Sequence, residues 1–119
     1  MDHVCLAMPV VPGRSEDARR FMKQLDGARR EEFDASERRV GISKELWYLA
    51  KLPSGDHLVG YIESTNFAHA FQSFVSSRDL FDLWFKDQFR NATGVDLNDP
   101  PPDLQMPELL SHYEGEAAG

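Results

Sequence analysis

Cysteine is almost missing from this chain: Cys5 is the only one. A lone cysteine excludes an internal disulfide and any cluster built on several thiolates. That usage suits a reducing compartment, and a cytoplasmic location is the expectation. Positive charge is short as well. Lys and Arg number 13 against 20 Asp and Glu, a net charge of −7. The deficit argues against nucleic acid and anionic membranes as partners, because both select for basic surfaces. The bases that exist form no stripe, since Arg29, Arg30, Arg38 and Arg39 alternate with Glu31, Glu32 and Glu37. Long apolar runs are absent too. The one in MDHVCLAMPVVPG is too short to cross a bilayer and follows no basic segment, so neither a signal peptide nor an anchor is expected. There is no GxGxxG, no phosphate loop, no HExxH and no cluster of Asp with His, so no cofactor and no metal is expected.

What is present fits one domain over residues 1–119, with 95–119 a less regular, proline-rich segment. A domain of this size buries only about two-thirds of its unfolded surface, so association with a copy of itself would add useful burial. Val4 to Val11 reads as a strand stopped by Pro12-Gly13. Ser15 offers an N-cap, with Glu16 and Asp17 in the first turn of a helix reaching about Arg39. Gly27 is a kink or break in it, and Gly41 stops it. Ile42 to Leu52 and His57 to Ser64 read as strands around the turn Pro53-Ser54-Gly55-Asp56. Thr65 or Asn66 caps the next helix, where Phe67, Phe71, Phe74 and Val75 share a face. Arg78-Asp79 marks a joint. A second helical piece carries Phe81, Trp84, Phe85 and Phe89 as core aromatics and ends at Gly94. Asp99 to Asp103 is extended. Glu108 to Tyr113 returns as a fourth strand or makes one helical turn, and Gly115 to Gly119 is frayed.

The order is the split βαβ pattern of an α+β, ferredoxin-like βαββαβ fold, an antiparallel sheet with its helices on one face. Pro9 cannot donate in a central ladder and must sit at the end of its strand or at a bulge. The strands, however, are apolar on both faces: Leu46 and Tyr48 alternate with Trp47 and Leu49, and Val59 and Tyr61 with Leu58 and Ile62. The helices supply one cover. A second copy of the sheet is the economical other cover, which predicts a symmetric homodimer.

The segments VVPGRSEDARRFMKQL, ARREEFDASERRVGISKELWYL, GDHLVGYIES, and FDLWFKDQF followed by GVDL carry a resemblance. The chain resembles the dimeric α+β-barrel superfamily, in which two ferredoxin-like sheets pack face to face, and within it a group of small uncharacterised bacterial proteins. The superfamily includes haem-degrading and antibiotic-biosynthesis monooxygenases, isomerases and members of no known activity, so the resemblance implies a fold and leaves the chemistry open. In the haem-degrading members a histidine ligand works with a tryptophan and a first-strand asparagine. The first strand here has no asparagine, so haem is not implied.

Candidate site residues follow from the strand pairing. With Leu52 opposite His57, Tyr48 faces Tyr61 and Leu46 faces Glu63, on one sheet face; Trp47, Leu49, Leu58 and Ile62 take the other. A slip of one residue would exchange the faces. The mixed face suits a cavity inside the dimer, with Tyr48, Tyr61 and Glu63 as ligand-binding groups. The alternative is that the tyrosines are interface aromatics and Glu63 a solvated strand end. His57 lies six residues from Glu63, about 20 Å along the strand, too far to act with it. On the long helix Arg29 and Glu32 are spaced to pair on or near the apolar stripe. They are an anion clamp and its orienter, or a structural ion pair. Cys5 is expected in the core, and His69 on a helix surface. The functional expectation is a dimeric protein that binds a small apolar ligand in the barrel. The alternatives are a cofactor-independent monooxygenase-like or isomerase-like enzyme, and a structural module whose tail at Asp99 to Met106 docks a partner.

Overall fold

In a computed structural model of the chain, described for residues 1–104 and 106–116, seven elements follow in the order β1 (Asp2–Pro9), α1 (Ser15–Asp26), α2 (Arg30–Val40), β2 (Ile42–Leu52), β3 (Gly55–Ser64), α3 (Phe67–Ser76) and α4 (Leu80–Thr93). The strands form an open antiparallel sheet in the order β1-β3-β2. The long helical segment is two helices. Turn residues 27–29 separate them, and Gly27 leaves the helical region at φ −121°, ψ −108°. Gly41 ends α2 in the left-handed region at φ 96°, which a side chain rarely adopts. Asn66 caps α3 by accepting from the His69 amide at 3.1 Å, and Asp79 caps α4 by accepting from the Phe81 amide at 3.0 Å. Ser15 is no cap. It lies inside α1 and its hydroxyl donates to Asp56 at 2.7 Å, tying the helix to the β2–β3 hairpin.

The hairpin turns more tightly than the sequence suggests. Leu52 pairs with Gly55, not with His57, so Tyr48 faces Val59, Leu46 faces Tyr61 and Lys44 faces Glu63. The displacement is two residues. Side chains alternate with a period of two, so every residue keeps its expected face although its partner changes. Ser43 sits at a bulge between Ile42 and Lys44. Pro9 is the last residue of β1, opposite His57, where its missing amide costs the ladder nothing.

Leu6, Met8, Leu58 and Ile62 point under the helices and are buried, with Trp47 and Leu49 partly buried beside them. From the helices come Phe21, Leu25, Phe81, Phe85 and Phe89. Each buried phenyl contributes about 1.5–3 kcal/mol relative to exposure. Behind them lies a polar knot. Asp82, with no exposed surface, accepts from the Ser36 hydroxyl, from Arg39 at 2.7 Å and from the Ser77 hydroxyl at 2.6 Å. Lys86, equally buried, donates to the carbonyls of Phe74, Val75 and Ser77 at 2.9, 3.2 and 3.0 Å and so closes the C-terminal end of α3.

Two further expectations change. Cys5 is exposed, because alternation along β1 gives the core side to Leu6 and Met8. Glu108 to Tyr113 forms neither strand nor helix, since three prolines and Pro107 precede only a short apolar stretch. The β1 edge away from β3 is therefore unpaired by any strand among the described residues. Of the expected frayed end, residues 117–119 lie outside the described residues, as does position 105 in the proline-rich tail. No helix among the described residues is long and apolar enough to cross a membrane.

Candidate functional site

The sheet divides the candidate residues between two places. Its open face carries Cys5 and Ala7 from β1, Leu46, Tyr48 and Leu52 from β2, and Val59 and Tyr61 from β3. Leu46, Tyr48 and Leu52 are 44%, 58% and 49% exposed, so the β2 side of this face is left open by the described chain. At one end a polar group gathers. The Tyr61 hydroxyl donates to Glu63 Oε2 at 2.7 Å, and His3 Nδ1 lies 2.8 Å from the same hydroxyl. The hydrogen bond to Glu63 raises the Tyr61 phenol above its ordinary pKa. His112, from the tail, meets the His3 ring edge-on at 5.7 Å. Tyr48 is not part of this group. It stands opposite Val59, diagonal to Tyr61, with an exposed ring.

Arg29 and Glu32 lie elsewhere. Arg29 occupies the N-terminal boundary of α2, its guanidinium 4.1 Å from the centre of the Trp84 ring on α4 and 3.3 Å from both Glu32 oxygens. Trp84 packs edge-on against Phe21, within the helix layer. The sheet therefore stands between this pair and Tyr61, and the two sets do not converge on one ligand.

The helix layer holds a site that sequence reasoning missed. Between the covered face of the sheet and α2, α3 and α4 is a cavity of about 60 Å³. Its walls are mainly aromatic, with Phe67, Phe71 and Phe74 from α3 and Phe81 and Phe85 from α4. Leu97, Leu104 and Met106 close it from the tail. The α3 phenyls are partly buried; Phe71 and Phe74 also pack against the core, Phe74 edge-on to Phe85 at 5.3 Å. Two carboxyl groups reach into the apolar walls, Glu37 from α2 and Glu45 from β2. The two are close enough for each to act on the ionisation of the other, and the Trp47 indole donates to Glu45 Oε2 at 2.9 Å.

Two carboxyl groups in contact cannot both ionise cheaply, and burial disfavours each charge further. Burial, then Glu45, then the Asp82 charge push Glu37 up to about 9. Burial pushes Glu45 up to about 7, against the Trp47 hydrogen bond, which favours its charged form. The pair thus holds one or two protons near neutral pH and titrates as a unit. Such a pair can hold, give up or accept one proton inside an apolar pocket.

A signal for this site was present. Glu45 has the parity of Trp47 and Leu49 and so interrupts the apolar face of β2. Glu37 falls with Phe33 and Val40 on the inward stripe of α2. Among the described residues no group of three or more His, Cys, Asp or Glu side chains is placed to hold a metal ion. No known protein family matches the sequence, and no curated protein is significantly similar to it.

Proposed function

We propose that the chain is a small-ligand-binding protein of the dimeric α+β-barrel kind, in which two copies close their open sheet faces on each other and each protomer holds a small, largely apolar ligand in its own cavity. The observation that carries the binding role is the cavity: an apolar, aromatic pocket with two convergent carboxyl groups of raised pKa. A pocket built only for stability would be filled by side chains, because empty space in a core is destabilising. The ferredoxin-like order β1-β3-β2, with every helix on one side, supports the barrel assignment. In the dimer Tyr48, Tyr61 and Glu63 face the barrel interior and come under cover.

The test is a thermal-shift screen of small organic molecules on the wild-type protein and on Glu45→Gln. A ligand of this cavity raises the wild-type melting temperature in a saturable way. It moves the Trp47 indole resonance, and it loses affinity in the variant. Ligands that act only through Tyr61 and Glu63, and are weakened by Tyr61→Phe instead, would move the site to the barrel.

The carboxyl pair favours one second reading, an isomerase-like enzyme without cofactor. A carboxyl group of pKa near neutrality can take a proton from carbon beside a carbonyl and return it at a neighbouring position. Turnover that disappears in Glu45→Gln, with ligand affinity retained, would establish it.

A further inference from the structure

The cavity has a definite hydrogen-bonding sign. Among the described residues, four that line it carry polar side chains: Ser36, Glu37, Glu45 and Trp47. The Ser36 hydroxyl is engaged with Asp82, and the Trp47 indole N–H with Glu45. The polar atoms that these residues leave to face a guest are therefore carboxyl oxygens. No Lys, Arg or His among the described residues lines the space, and β1, β3 and α3 contribute only apolar groups to it. Phenyl faces from α3 and α4 surround the rest, and such faces attract cations. A volume of about 60 Å³ accommodates a few water-sized groups, on the order of five non-hydrogen atoms.

We propose that the cavity selects a small primary ammonium compound, a short alkylamine in its protonated form, with its head between Glu37 and Glu45 and its chain against Phe71, Phe74 and Phe85. This rests on the cavity being the ligand seat. The ammonium group supplies three donors to acceptors that otherwise repel each other. It takes the place of the protons on the pair. A protonated carboxyl pair and an alkylammonium give the doubly ionised pair with the alkylammonium bound, and the one or two protons that the pair held leave to solvent. An anion meets only carboxyl oxygens and apolar walls there. Arg39 and Lys86 offer it no partner: Arg39 pairs with Asp82, and Lys86 is bound to the carbonyls of Phe74, Val75 and Ser77.

The experiment compares three four-carbon molecules, n-butylamine, 1-butanol and butanoate, at millimolar concentration in 150 mM salt. Binding to the full-length protein is followed through the Trp47 indole N–H resonance and by calorimetry in two buffers of different ionisation enthalpy. The expected result is saturable binding of butylamine, at least 10-fold tighter than 1-butanol, with no binding of butanoate. Between pH 6 and pH 8 the affinity for butylamine rises at least 3-fold, and between one and two protons are released per ligand near pH 7. Glu45→Gln and, separately, Glu37→Gln lower the butylamine affinity at least 10-fold and leave 1-butanol unchanged. Equal binding of 1-butanol and butylamine, or butylamine binding without proton release, overturns the ammonium assignment and leaves the cavity as the ligand seat. Failure of all three molecules to move the wild-type indole resonance overturns both. The proton release is read on the wild type alone, so the outcome does not depend on whether a variant folds.

Discussion

The indole ring of Trp47 lies across Gly60, its partner on the neighbouring strand, so closely that a β-carbon at position 60 would meet Trp47 Cζ3 at 2.7 Å and Cη2 at 2.8 Å. Only glycine leaves room for that ring. The same indole donates to Glu45, so a missing side chain on β3 sets the position of a carboxyl group in the cavity. Gly60→Ala is expected to cost about 1–3 kcal/mol, as overpacking does, and to shift tryptophan fluorescence. Urea unfolding of the variant checks it. An unchanged midpoint and spectrum would show that the ring moves aside freely.

The carboxyl pair gives stability a distinctive pH dependence. Both folded values, about 9 for Glu37 and about 7 for Glu45, stand above the ordinary 4.5. Between those limits the folded protein binds more protons than the unfolded chain, so stability falls as pH rises. The contribution is complete below about pH 4.5 and is lost as pH climbs through 7 toward 9. Urea midpoints at pH 5, 7 and 9 should therefore decrease in that order, and Glu37→Gln should flatten the slope. A midpoint that is level or rising over this range in the wild type would mean that the two groups ionise independently in water.

Lys86 tests the polar knot. Replacing it with Met keeps much of the volume but leaves the carbonyls of Phe74, Val75 and Ser77 without their donor. The expected loss is about 2–4 kcal/mol, with faster amide exchange at the end of α3. Chemical denaturation and hydrogen exchange measure the two effects. A variant as stable as the wild type would mean that water serves those carbonyls equally well.

The strands, their faces, the break at Gly27 and the joint before α4 were all legible in residue pattern and turn chemistry. Period-two alternation separates Leu46 and Tyr48 from Trp47 and Leu49 whatever the exact pairing, which is why the faces survive a two-residue displacement of register. The displacement itself was not legible, because Pro53-Ser54-Gly55-Asp56 supports a two-residue or a four-residue turn equally. Cys5 shows that a small apolar residue follows the parity of its strand and not its own preference for the interior. The cavity was the largest omission. Glu37 and Glu45 each look like an ordinary acid in a chain rich in acids, and only folding brings α2 against β2 and makes them a pair. Arg29 and Glu32 did pair, as their spacing indicates, but Trp84 holds them within the helix layer.

The open face should answer to charge. Leu46→Glu places a carboxylate on the β2 side of that face, opposite Tyr61, at a position 44% exposed in the single chain and covered in a sheet-to-sheet dimer. The variant is expected to dissociate at least 100-fold more readily while its far-ultraviolet spectrum and urea midpoint as a monomer stay close to normal, because no helix covers the position in its own chain and the new carboxylate stays in contact with water. An unaltered association would place the contact elsewhere on the surface.

What covers Leu46, Tyr48 and Val59 decides the assembly, and solution mass measured by light scattering across a dilution series decides it most directly. Two sheets packed face to face give twice the 13.5 kDa chain mass, persisting to low micromolar protein and lost in Leu46→Glu. A mass of 13.5 kDa at every concentration would contradict the barrel and leave the open face to a different partner.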